Sequence, residues 1–141
     1  MKRILVCLDG SPAQAAVLDA AATVAGALSA KLILFHAVAI PVHLPQQALA
    51  LPPTDVGGLL SDMARTQLEE LATARASLVE RVQVEIGTAW RAVCDTAKLD
   101  AVDLVVIGSH SYGGLDRLLG TTAAKIVDHA PCSVYVVRTF E

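Results

Sequence analysis

The residues best suited to chemistry are one glycine-rich stretch and one lone carboxylate. Gly108-Ser-His-Ser-Tyr-Gly-Gly-Leu-Asp-Arg-Leu-Leu-Gly120-Thr-Thr122 follows four consecutive apolar residues, Leu104 to Ile107. That run is too short for a lone helix and rich in β-branched types, so it reads as a buried parallel strand. Gly120-Thr121-Thr122 stands at the mouth of the helix that the next residues predict. A strand, a glycine loop and a helix N-terminus in that order make an anion pocket. Glycines let backbone N–H groups approach a phosphate closely, and the first turn of a helix leaves its N–H groups unpaired and partly positive. The same order also serves as a plain flexible connection, and the stretch alone does not separate the two. Two named nucleotide motifs are excluded: no Lys follows Gly113-Gly114 as a P-loop requires, and no G-x-G-x-x-G follows the first strand. The lone carboxylate is Asp9, at the end of the first apolar run. A carboxylate there can accept hydrogen bonds or hold a metal ion, or simply form an Asx turn with Gly10.

These residues need a frame, and the apolar periodicity predicts one. Arg3 to Leu8 reads as a buried strand, with Ser11 as cap and Pro12 in the first turn of the next helix. Ala15, Leu18, Ala22, Ala25 and Leu28 then give a helical face through about Ser29. Lys31 to Val38 is a second strand. Ala39 to Pro53 is proline-rich and irregular, longer than a usual connection. A helix is predicted from about Asp55 to Val79, with Leu60, Ala64, Leu68, Leu71 and Leu78 inward. Arg81 to Ile86 alternates as a strand near the sheet edge does. Gly87-Thr88 opens a helix carrying Trp90, Val93, Cys94 and Ala97 on one face. The helix after Gly120 runs to about His129 and is stopped by Pro131, and Ser133 to Arg138 is the fifth strand. Strands alternating with helices indicate one α/β domain over residues 1–141: an open five-stranded parallel sheet, order 3-2-1-4-5, with helices on both faces. In that order the winding reverses between strands 1 and 4, and ligands bind in the crevice there. Asp9 and Gly108 end those two strands.

Composition agrees with this frame. The chain is 54% hydrophobic but only 4% aromatic, so its core is built from Ala, Val, Leu and Ile. A formal charge of −3 and the lack of a basic run argue against a nucleic-acid partner. Leu32 to Thr54 has no charged residue, yet Pro41, Pro45, Pro52 and Pro53 argue against a membrane span. The first strand begins at once, which leaves no room for a signal peptide, and a soluble, cytoplasmic protein is expected. Cys7, Cys94 and Cys132 have no metal-ligand spacing and read as small hydrophobes; the four histidines are scattered.

The opening Ile-Leu-Val-Cys-Leu-Asp-Gly-Ser, the Leu-Phe-His-Ala-Val of the second strand, the long glycine block and the closing Ala-Pro-Cys-Ser-Val-Tyr-Val-Val-Arg together resemble the universal stress protein family over essentially the whole chain. The resemblance implies a five-stranded α/β domain, usually a dimer, associated with survival under stress. Members divide into those that bind ATP and those that do not. Binders resemble a pattern of Gly, two residues, Gly, nine residues, Gly, then Ser or Thr. Gly108 and Gly120-Thr121 fit its ends, but Ser111 stands at the second glycine and eight residues separate it from Gly120. Gly113 and Gly114 are placed to absorb the shortening.

Carried over by position, the resemblance implies that Asp9 faces the ribose or a phosphate-bound metal, Mg2+ or Mn2+, and that Ala37 offers backbone groups to the adenine. It implies that Gly108, Ser109 and His110, with Ser111 and Gly113, wrap the ribose and phosphates, and that Gly120, Thr121 and Thr122 hold the phosphates. Thr121 also reads as an ordinary helix cap. No nucleophile–base pair stands out and a phosphate-clamping Lys is missing, so a dedicated enzyme is not expected and ATP hydrolysis is at most slow. Two functions stay open. One is a small ATP-binding stress-response regulator. The other is a nucleotide-free dimeric protein acting on a protein partner through its edge strand and the 39–53 loop. In either, Val134, Tyr135, Val136 and Val137 form an apolar edge expected to pair with a second copy.

Overall fold

Each short apolar run becomes a strand because both of its faces are covered, which leaves no room for polar alternation. The computed structural model describes residues 2–39, 53–109 and 119–139. The elements are β1 (Arg3–Cys7), α1 (Gln14–Leu28), β2 (Lys31–Val38), α2 (Pro53–Ala74), β3 (Val79–Ile86), α3 (Ala89–Leu99), β4 (Leu104–Gly108), α4 (Thr121–His129) and β5 (Ser133–Val137). The sheet has the expected order β3-β2-β1-β4-β5, and every adjacent pair is parallel.

Alternate residues of the strands build two cores. Ile4, Val6, Leu32, Leu34 and Val106 meet Val17, Leu18, Ala21 and Ala25 of α1 and Leu68 of α2. Leu5, Ile33, Phe35, Val105 and Ile107 meet Val93 and Ala97 of α3 and Ala123 and Ile126 of α4. Strand β3 is the exception. Val82 and Val84 pack on the first core, while Arg81, Gln83 and Glu85 form a polar row on the other face, as befits an edge.

Three local expectations are corrected. Helix α1 starts at Gln14 with Ala13 as N-cap, and Ser11 does not cap it. The Asp9 carboxylate accepts the Ser11 N–H at 2.9 Å, so an Asx turn competes with a helix start there. The buried stripe of α1 is Val17, Leu18, Ala21, Ala22 and Ala25, while Ala15 and Leu28 are exposed. Helix α2 begins at Pro53, where proline costs no hydrogen bond, and ends at Ala74. Leu78 keeps helical spacing but its carbonyl accepts the Leu32 N–H at 2.8 Å, which draws the chain into the sheet two residues earlier than Arg81. Apart from its two ends, the irregular 39–53 segment lies outside the described residues. Among the described residues no helix is long and apolar enough to cross a membrane.

Candidate functional site

Where the winding reverses between β1 and β4, the strands end beneath a cavity of about 520 Å³. Its floor is apolar: Cys7, Phe35 and Ile107 from the strands, with Val93, Ala123 and Ile126 from α3 and α4. Its rim is polar, with Asp9, Ser11 and Gln14 on one side and Gly108, Gly120, Thr121 and Thr122 on the other. A cavity of this size with an apolar interior and a few convergent polar groups is what a small-molecule site requires.

Three helices begin at this cavity. Ala13 and Gln14 bring α1, Ala89 brings α3, and Gly120 to Thr122 bring α4. Their N-caps, Ala13, Thr88 and Gly120, make no side-chain capping hydrogen bond, and none of the first turns carries an acidic residue. Thr121 therefore is not a cap. In α4 the first intrahelical bond is Ala124 N–H to the Gly120 carbonyl at 2.9 Å, so the N–H groups before it lack a partner within the helix. Together with the helix dipole they make the Gly120 side attractive to an anion.

The α1 side differs, because Asp9 brings a negative charge. Its Oδ1 accepts the Ser11 N–H, which realises the Asx turn. Gly10 adopts φ +78°, a left-handed conformation, and its N–H donates to Gln14 Oε1 at 3.1 Å. Asp9 Oδ2 has no hydrogen-bond partner among the described residues. The rim thus presents a carboxylate oxygen to one side and helical N–H groups to the other.

The structure brings Asp9, Ala37, Gly108, Gly120, Thr121 and Thr122 to the lining of this one cavity. Ser109 is not on it. That residue is buried, its N–H donates to the Val137 carbonyl at 2.9 Å, and its hydroxyl accepts the Thr139 N–H at 2.9 Å. His110, Ser111 and Gly113 lie outside the described residues, as do Tyr112 and Arg117. Among the described residues no group of three or more His, Cys, Asp or Glu is arranged to hold a metal ion. Any ion at Asp9 would take its remaining ligands from the bound molecule and water, as Mg2+ does beside phosphates.

Sequence reasoning missed Gln14 on the rim and Cys7 and Phe35 on the floor. The strand period held the signal for the last two: Cys7 precedes Asp9 by two residues and Phe35 precedes Ala37 by two, so each shares its partner's face. Burial pushes the Cys7 thiol well above its ordinary value, with Cys94 and Cys132 adding to the rise. Cys7 is therefore apolar flooring rather than a nucleophile.

Comparison with known proteins agrees with this architecture. The sequence model of the universal stress protein family matches residues 1–138. The chain is 32% identical to universal stress protein A homolog 1 of Coxiella burnetii over 137 residues, covering 96% of this chain and 95% of that protein. It is 33% identical over 153 residues to universal stress protein Sll1388 of Synechocystis, covering 96% and 97%. Among solved structures, universal stress protein UspA from Lactobacillus plantarum superposes with a TM-score of 0.78 at 25% identity, covering 97% of each chain. A universal stress protein in complex with cAMP shares the fold, with a TM-score of 0.71 at 22% identity over 99% of this chain and 98% of that one. By sequence over nearly its whole length, this chain belongs to the universal stress protein family, and its strand order is the one that the sequence led us to expect.

Proposed function

We propose that this chain is a small stress-response regulator that binds an adenine nucleotide, ATP with Mg2+ or Mn2+, in the cavity between β1 and β4. The observation that carries this reading is the uncapped N-terminus of α4 at Gly120 facing the same cavity as Asp9. The helix end favours phosphate, the carboxylate favours a ribose hydroxyl or the metal, and the apolar floor favours a flat base. That a protein of this fold is described in complex with cAMP supports a nucleotide as the ligand class. In this reading binding exceeds catalysis and turnover is slow or absent, because the glycine stretch carries no P-loop lysine after Gly113-Gly114. Family membership alone supports a cytoplasmic, stress-linked role. A second copy pairs along β5, and this same edge supports the alternative of a nucleotide-free protein acting on a protein partner, because β5 is uncharged.

Calorimetric titration of metal-ATP into nucleotide-free protein tests the first reading. The expected result is a saturable heat in wild type, at least about tenfold weaker binding in Gly120→Val with an unchanged melting temperature, and loss of metal dependence in Asp9→Ala. No heat and no thermal shift in wild type at millimolar ATP rejects the nucleotide reading in favour of the interaction protein.

A further inference from the structure

The only tryptophan of the chain stands at the rim of a core rather than inside it. Trp90, in the first turn of α3, packs against the α3/α4 core yet stays half-buried. The ring of His129, the last residue of α4, lies 4.6 Å from the indole and is tilted by 38°. Its own helix holds that imidazole: Nδ1 is 2.8 Å from the Lys125 carbonyl, and since a carbonyl only accepts, Nδ1 carries the proton. Two cations also reach the indole. Arg91 Cζ is 5.2 Å and Lys125 Nζ 5.5 Å from the ring centre, both within range of a cation–π attraction. Arg91, Lys125 and His129 are all exposed.

Charged side chains lying over an apolar ring are ordinary at a surface. Two observations ask for more here. The first is that neither cation has taken a carboxylate. Asp95 stands four residues after Arg91 and Asp128 three after Lys125, the spacings at which helical ion pairs form. Among the described residues the ion pairs are instead Arg3–Glu80, Arg75–Asp19 and Arg81–Asp100. The second is that this patch backs onto the cavity. Ala89 and Val93 of α3 and Thr122 and Ile126 of α4 line it, each next to or within one turn of a patch residue. A shift of these helices around a bound molecule therefore also moves the indole, the imidazole and the two cations relative to one another. Trp and Arg are, besides, the residue types that most often carry binding energy at interfaces.

We propose that Trp90, Arg91, Lys125 and His129 form a docking surface for a short acidic segment of a partner protein, and that filling the cavity changes its affinity. The partner's carboxylates take the place that Asp95 and Asp128 leave open, and an apolar group beside them covers the exposed part of the indole. Four side chains on two helices make a contact well below the standard interface size, so the complex is transient, with Kd on the order of tens of micromolar. The docking surface stands by itself, whereas the coupling takes its cavity ligand from the nucleotide reading above.

The probe is deca-glutamate, titrated into the full chain and followed through the fluorescence of the single Trp90. Wild type should give a saturable change at low salt, and binding should weaken at least about tenfold when the salt is raised to about 0.2 M. Arg91→Gln combined with Lys125→Gln should weaken it at least about tenfold at an unchanged melting temperature. Lys31→Gln combined with Arg65→Gln, which removes the same charge elsewhere, should leave it within about twofold. A ten-residue oligothymidylate should bind more weakly than the peptide, and saturating metal-ATP should shift the peptide affinity at least about threefold. No saturable change in wild type, or equal losses in the two double variants, overturns the docking surface. Tighter binding of the oligothymidylate overturns its acidic-peptide occupant. If metal-ATP binds by calorimetry yet leaves the peptide affinity unchanged, the coupling is overturned. If the peptide binds and metal-ATP does not, the nucleotide reading fails and the coupling with it, while the docking surface stands.

Discussion

Ser109 Oγ accepts the Thr139 backbone N–H at 2.9 Å, tying the residue after β4 to the chain leaving β5. The same residue extends the β4–β5 ladder through its N–H to Val137 O. The family resemblance places Ser109 at the ligand, yet its hydroxyl is already engaged and the residue is buried. Ser109→Ala should therefore cost about 1 kcal/mol of unfolding free energy and change nucleotide affinity less than about threefold. Urea denaturation and calorimetric titration of the same variant separate the two effects, and a large affinity loss at unchanged stability would return Ser109 to the ligand.

Stability should also respond to acid through Asp103. Its Oδ2 accepts the Lys2 N–H at 2.7 Å and the Arg3 N–H at 3.0 Å, and these backbone bonds hold the carboxyl below its usual range, helped by the Lys2 charge. A carboxylate whose folded value lies below its unfolded one stabilises the fold fully above the unfolded value, about 3.9, and loses that contribution as pH falls through the folded value. Asp103→Asn should melt at a lower temperature than wild type at pH 7, and the gap should narrow below about pH 4. Thermal melts of both proteins from pH 7 to pH 3 check this, and a gap that stays constant to the lowest pH would assign the effect to packing instead.

The sequence revealed what depends on short periods. Continuous apolar runs such as Leu104 to Ile107 could only be strands buried on both faces, and the alternation of elements led to the order in which β1 and β4 adjoin. That placed Asp9, Gly108 and Gly120 around one crevice. What stayed hidden depends on register between distant segments. The Ser109 hydroxyl meets a residue 30 positions away, and the His36 imidazole meets a carbonyl 28 positions away, so no local pattern signals either bond. The start of α1 was obscured by a nearer competition, in which the Asp9 carboxylate captures the Ser11 N–H before a helix can begin.

The three thiols should separate by reactivity. All are free and all are raised by burial, Cys7 most strongly because it forms the cavity floor. A raised value leaves less thiolate at a given pH, and thiolate is the reacting species. At pH 8 a disulfide reagent should modify Cys7 at least about tenfold more slowly than Cys94 or Cys132, with each site followed by peptide mass spectrometry. A bound nucleotide should slow Cys7 further and leave the other two unchanged. Fast labelling of Cys7 that ligand does not affect would contradict its place on the floor.

The two edges of the sheet differ in how they meet solvent, and this decides where a second copy should pair. Strand β3 carries Glu80, Arg81 and Glu85. Arg3 approaches Glu80 at 3.6 Å and Arg81 pairs with Asp100, so charge guards that edge. Strand β5 has no charge between Ser133 and Val137, and Tyr135 is 39% exposed. An uncharged edge with free backbone groups recruits another strand, whereas charged edges resist it. Tyr135→Lys should thus weaken a dimer by at least about tenfold, or 1.4 kcal/mol, while Gln83→Lys on β3 should leave it intact. Sedimentation equilibrium of both variants against wild type reads this directly. If the lysine at 135 leaves the dimer mass unchanged, β5 is not the contact, and if the lysine at 83 dissociates it, the pairing edge is β3.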